Sequence, residues 1–119
     1  MRILFASFLA ALAATGPAAA ASGPSFSCAG TLKSAERVIC NDLALSRIDR
    51  NIDRQYTILM KASGFWNRRT HRSSQRAFIA SRDGCGSDFQ CIRLAYRGQG
   101  QELRSALRKF NILCDENNC

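Results

Sequence analysis

A chain of 119 residues with a formal charge of +8, six cysteines and only two prolines has room for one small domain and not for two. It contains no glycine-rich phosphate loop, and its cysteines lack the paired C-x2-C spacing of a zinc site, so nucleotide chemistry and structural zinc are set aside. The positive excess draws such a protein toward anionic surfaces: lipid headgroups, acidic cell-wall polymers or acidic proteins.

The N-terminus has the form of a targeting segment. Met1-Arg2 is followed by the apolar run ILFASFLAALAA over residues 3–14, then by an alanine-rich stretch ending at Ala21 that offers A-x-A cleavage sites. The run is shorter than the roughly 20 apolar residues of a spanning helix. Ser25-Phe26-Ser27 lack the aliphatic residue expected three places before a lipidated cysteine, so Cys28 is not read as a lipid anchor. The expectation is a signal peptide over residues 1–21, cleaved, with an unlipidated product in the periplasm or outside the cell. Removing 21 of the 119 residues leaves 98, and losing Arg2 lowers the formal charge from +8 to +7. Export makes nucleic acid an improbable natural partner despite the basic charge. An oxidising compartment also puts the six cysteines in disulfides, which a small domain with a limited core needs as staples.

Residues 22–33 carry no periodicity and read as extended. Ser34 is placed as the cap of a short helix, AERVIC, with Glu36 in its first turn. Asp42 caps a second, longer helix, in which Leu45, Ile48, Ile52, Tyr56 and Leu59 recur at steps of three and four until Ser63-Gly64. Phe65-Trp66 then fall in a connector, where they would cap the end of the core. A third helix is predicted over about 70–83, with Gly84 as its stop. A fourth begins near Asp88 and aligns Phe89, Ile92, Tyr96, Leu103 and Leu107. Gly98 and Gly100 each cost about 1 kcal/mol relative to alanine inside a helix, so a bend or fraying is expected there. The fold class is all-α: a small disulfide-stapled helical hairpin or bundle of about four helices over residues 22–112, then a cysteine-containing tail over 113–119.

Cysteine pairing is inferred from spacing. Cys85 and Cys91 lie at the end of one helix and the start of the next, so their bridge would close that corner. Cys28 with Cys40 would tie the extended arm to the first helix. Cys114 and Cys119 are left, and a four-residue loop can close between them.

Chemistry of an enzymatic kind finds few residues. The single histidine, His71, sits among Arg69 and Arg72 with neither an orienting carboxylate nor a nucleophile in view. Asp49 and Asp53 are four apart but flanked by Arg50 and Arg54, which reads as a charged face. No catalytic residue, metal or cofactor is expected. In QRAFIASRD, Gln75 and Arg82 share a helical face with Phe78 and Ile79. A charge buried there needs a partner, and Asp49 lies about 60° from the apolar stripe of the second helix. The expectation is a polar latch of Asp49 with Arg82, assisted by Gln75; the alternative makes the same residues a recognition groove. Two arginine rows are harder to absorb into a fold. Arg93, Arg97, Arg104 and Arg108 fall within about 60° of one another on one helix, and Arg68, Arg72 and Arg76 repeat at steps of four on another. Like charges at that spacing disfavour a helix, so the rows are candidate anion-binding residues.

Taken in order, Cys28, Cys40, Ile48, Asp49, Tyr56, Gln75-Arg76, Phe78, Arg82-Asp83, Cys85, Cys91 and Tyr96 resemble the LprI-like family of secreted bacterial proteins, named for a mycobacterial lysozyme inhibitor. The resemblance covers about residues 25–108. It implies a small helical fold with the Cys28–Cys40 and Cys85–Cys91 disulfides, no enzymatic activity, and inhibition of a lysozyme or related muramidase. Three features depart from that pattern: the missing lipid attachment, Gly100 in place of an aliphatic residue, and the Cys114/Cys119 tail. Physics also resists the implied role, because two basic proteins repel on encounter. Acidic residues able to enter a lysozyme cleft are sparse, and Asp115 with Glu116 in the tail form the candidate inhibitory loop. The expected function is therefore a secreted, non-enzymatic envelope protein that inhibits a muramidase. Its alternative is an envelope module holding anionic lipid or cell-wall polymer through the arginine rows. The sequence leaves the oligomeric state open.

Overall fold

The computed structural model describes residues 23–119, so the expected signal peptide lies outside the described residues. Four helices follow one another: α1 over Ser34–Asn41, α2 over Leu43–Ala62, α3 over Phe65–Gly84 and α4 over Phe89–Arg108. No strand occurs among the described residues, and the fold is all-α. No described helix is long and apolar enough to cross a membrane.

Helix α2 is the axis. It lies along α4, α3 packs beside α4, and α1 crosses one end against α2 and α3. The i, i+3, i+4 stripe of α2 supplies Leu45, Ile52 and Leu59 to the core, while Ile48 and Tyr56 are half-buried. From α4 come Ile92, Tyr96, Leu103 and Leu107; Phe89, expected among them, stays 38% exposed. Phe78 of α3 meets Tyr96 edge-on at 5.3 Å between ring centroids, a favoured aromatic geometry.

Helix ends follow local chemistry with some departures from expectation. Asp42 caps α2 by accepting from the Leu45 N–H at 2.8 Å, and Asp88 caps α4 by accepting from the Cys91 N–H at 3.0 Å. Ser34 is not a cap but the first residue of α1; Lys33 precedes it, and the Glu36 carboxylate accepts from the Lys33 backbone N–H at 2.9 Å. Helix α3 starts at Phe65 rather than near residue 70, because Ser63 and Gly64 alone break the chain and nothing after them resists helix. Phe65 and Trp66 consequently do not cap the core. They stand 66% and 74% exposed at the start of α3, ring centroids 5.3 Å apart. Gly84 is the last helical residue of α3, and the left-handed turn falls on Gly86, with φ of 59°.

The expected bend in α4 is absent: the helix runs through Gly98 and Gly100. Gly100 is buried, and a Cβ there would lie 3.4 Å from Ile52 Cδ1. That is ordinary contact distance, and the helix continues because a propensity cost of about 1 kcal/mol is small beside the burial of Ile92, Tyr96, Leu103 and Leu107 on the same helix.

Three disulfides staple the bundle: Cys28–Cys40, Cys85–Cys91 and Cys114–Cys119, with Cα separations of 5.9, 5.5 and 4.8 Å. The first fixes the N-terminal arm to α1, the second closes the α3–α4 corner, and the third closes the tail into a small ring. Three bridges in a domain of this size fit an oxidising, extracytoplasmic compartment.

Candidate functional site

Three polar regions stand out: a buried network between helices, an arginine-lined groove along α4, and a basic aromatic corner between α2 and α3.

Asp49 is the centre of the network and is 4% exposed. Its Oδ1 accepts from the Tyr96 hydroxyl at 2.6 Å, and its Oδ2 accepts from the Ser25 N–H at 2.7 Å and the Ser25 hydroxyl at 2.5 Å. Arg82, 5% exposed, brings Nη1 to 3.6 Å from Asp49 Oδ1, but its hydrogen bonds go elsewhere. Nε and Nη2 of Arg82 donate to Asp83 Oδ1 at 3.0 and 2.8 Å. Lys33 Nζ reaches the other oxygen of Asp83 at 2.9 Å. Gln75 accepts instead from Gln99 Nε2 at 2.9 Å. Asp49, Gln75 and Arg82 do line one cleft of about 270 Å³ with Phe26 and Phe78. The Phe26 ring lies 5.3 Å from the Arg82 guanidinium, which covers it from the arm side.

Electrostatics within the network are closed. Lys33, Asp83, Arg82 and Asp49 alternate in sign and sum to zero, so each buried charge has a partner. Burial pushes the Asp83 carboxyl up, but hydrogen bonds and charge from Lys33 and Arg82 outweigh it and hold the group below the usual carboxylate range. Burial, then the charge and hydrogen bond of Asp49, push the Tyr96 hydroxyl well above the ordinary tyrosine range. A network with every charge matched locks helices together and offers nothing to a ligand.

The arginine rows behave differently, and the two rows do not meet. Arg93, Arg97 and Arg104 line a cavity of about 130 Å³ between α2, α4 and the tail, whereas Arg108 is solvent-exposed beyond it. Arg68 and Arg72 border a shallow depression against Tyr56, Met60 and Lys61, where Arg68 Nε donates to the Met60 carbonyl at 2.9 Å. Arg76 lies farther along α3, exposed. Arg69 places its guanidinium 5.9 Å from the Trp66 ring centroid.

The tail is not a free loop. Asn51 Nδ2 donates to the Glu116 carbonyl, and Gln55 Nε2 donates to the Asp115 carbonyl at 3.2 Å. Asp115 also accepts from the Asn117 N–H at 2.7 Å. The side chains of Asp115 and Glu116 remain exposed, Glu116 bordering the arginine cavity.

Sequence reasoning did not anticipate Ser25, Asp83, Asn51, Gln55 or Gln99 as polar anchors. Tyr96 was read as core, although a tyrosine on a buried stripe signals a hydroxyl that needs a partner. His71, Ser74 and Glu102 line one groove, yet the Ser74 hydroxyl donates to Glu102 at 2.5 Å and no hydrogen bond among the described residues links His71 to either. Comparison with family models, curated proteins and solved structures gave no match, so function rests on this geometry.

Proposed function

We propose that the protein is a non-enzymatic module of the cell envelope that docks on an anionic membrane surface through the α2–α3 corner. The observation that carries this reading is the exposed Phe65–Trp66 pair set among Lys61, Arg68, Arg69 and Arg72. No acidic residue occurs between Asp53 and Asp83, so the corner has no internal counter-charge along the chain. Tryptophan and phenylalanine partition into the headgroup boundary, and each cation near an anionic leaflet contributes about 1 kcal/mol. Four cations with two aromatic rings therefore give reversible, salt-sensitive adsorption. Trp66 is the only tryptophan, so its fluorescence reports the event directly. Anionic vesicles should shift its emission to the blue at low ionic strength, neutral vesicles should not, and Arg68→Glu with Arg72→Glu should abolish the shift. An unchanged spectrum on anionic vesicles would reject the reading.

A second reading, inhibition of a lysozyme or other muramidase, is favoured by the tail. Asn51, Gln55 and the Cys114–Cys119 bridge hold Asp115 and Glu116 as a pre-ordered acidic loop. Loss of muramidase activity on peptidoglycan near stoichiometric ratios, at physiological salt, would support it. Full activity at large excess against several lysozyme types would remove it.

A further inference from the structure

We propose that the cavity between α2, α4 and the disulfide-closed tail binds a phosphate ester of a small polyol, glycerol phosphate being the simplest. This cavity is a separate feature from the α2–α3 corner, and neither reading depends on the other.

Charge in this cavity is uncompensated. Arg93, Arg97 and Arg104 all line the cavity, and among the described residues none has a carboxylate oxygen within 4.0 Å. The contrast with Arg82, whose charge is matched twice over, is internal to the same protein. Arg104 is half-buried, so it has given up part of its hydration without an ion pair in return. Arg93 and Arg97 stand exposed beside it, and an anion entering between the three offsets their mutual repulsion. Guanidinium forks match the oxygens of a phosphate in pairs.

The backbone beneath Arg104 is shaped to receive it. A Cβ on Gly100 would lie 2.9 Å from Arg104 Nη1, so the guanidinium folds back across the bare glycine to reach the cavity. Any side chain at position 100 displaces it. Glycine in the middle of a helix is disfavoured, and here its bare backbone leaves the space that the guanidinium occupies.

A carboxylate at the cavity's edge selects the ester. Asn51 is 8% exposed, lies on the cavity wall, and donates Nδ2 to the Glu116 carbonyl, which holds this tail residue at the cavity's edge. Glu116 borders the same cavity, and its carboxylate can only accept. A carboxylate beside a cluster of cations suits hydroxyl donors attached to the anion; inorganic phosphate would leave it idle and meet its charge unaided. The cavity, with a volume of about 130 Å³, is of a size to take a phosphate carrying a short polyol.

The test is calorimetric titration of the purified, oxidised protein with glycerol 1-phosphate, inorganic phosphate and glycerol. Vesicles of phosphatidylglycerol or phosphatidic acid at equal charge separate a lipid headgroup from a soluble ester. Saturable one-to-one binding of glycerol 1-phosphate, tighter than inorganic phosphate, is expected. Gly100→Ala should weaken it about tenfold while leaving the melting temperature equal or higher, since alanine favours helix. Arg104→Gln should weaken it likewise. Preference for phosphatidylglycerol that Gly100→Ala abolishes would assign the ester to a headgroup, and binding of the soluble ester without that preference would assign it to a free ligand. Absence of saturable binding, equal or tighter binding of inorganic phosphate, or an unchanged affinity in Gly100→Ala would overturn the proposal. An intact Trp66 shift beside any of those results would leave the docking corner standing.

Discussion

Replacing Asp49 by asparagine probes the centre of the fold with almost no change in shape. The carboxylate accepts three hydrogen bonds of 2.5–2.7 Å, from Tyr96 once and Ser25 twice, and is the second anion near Arg82. Hydrogen bonds to a charged group are worth about 1.5–3 kcal/mol each when removed singly. They share one acceptor, so their losses do not add, and removal of one partner of a buried pair costs about 3–5 kcal/mol in total. Asparagine keeps one acceptor oxygen but turns an amide toward donors, while Arg82 keeps both contacts to Asp83. The expected loss is about 3 kcal/mol, which in a domain of this size lowers the melting temperature by roughly 12–24 °C. Thermal and urea unfolding followed by circular dichroism, at pH 7 with disulfides intact, would measure it. A cycle with Tyr96→Phe should give a coupling of about 1 kcal/mol or more, since the two side chains touch. A loss below about 0.5 kcal/mol, the size of an ordinary surface substitution, would refute the claim that Asp49 holds the helices.

Asp83, whose folded-state pKa is depressed, contributes stability that is complete above its unfolded value of about 4 and is lost as pH falls through the lowered one. The acid limb of the stability curve should therefore be shallower in Asp83→Asn, as read by urea midpoints between pH 6 and 3. For Tyr96 the sign is opposite, because its folded pKa is raised: the stability it contributes is complete below the unfolded value of about 10 and disappears as pH rises beyond it. In a Tyr56→Phe background Tyr96 is the sole tyrosine, and its ultraviolet absorbance should show ionisation only together with alkaline unfolding.

Legibility in the sequence followed the range over which each cause acts. The α2 stripe and the Asp42 cap depend on residues within a turn or two, and both could be read directly. The disulfides followed from helix ends that were themselves readable. Asn51 and Gln55 could not be placed, because their partners are carbonyls in the tail 65 and 60 residues later. Arg82 was legible in part, since Asp49 does stand within ion-pair distance. Neighbouring residues on a helix do not face one another, so spacing alone points to a distant partner. At the last turn of α3 the long arginine side chain curls onto adjacent Asp83 instead, and Asp49 comes second at 3.6 Å. The start of α3 escaped because its first residues carry no apolar rhythm facing the core; the helix there is continued by the absence of a breaker.

The span of the Asp49 network also sets an order of assembly. Its donors come from residue 25, in the arm, and residue 96, in the last helix. A chain emerging N-terminus first can offer Asp49 its Ser25 donors and Arg82 early, yet Oδ1 lacks its hydroxyl donor until α4 brings Tyr96. The final helix thus acts as a completion check: a polypeptide truncated before Tyr96 would leave Oδ1 of Asp49 without its hydroxyl donor and the α2 stripe without Tyr96, Leu103 and Leu107 to cover it.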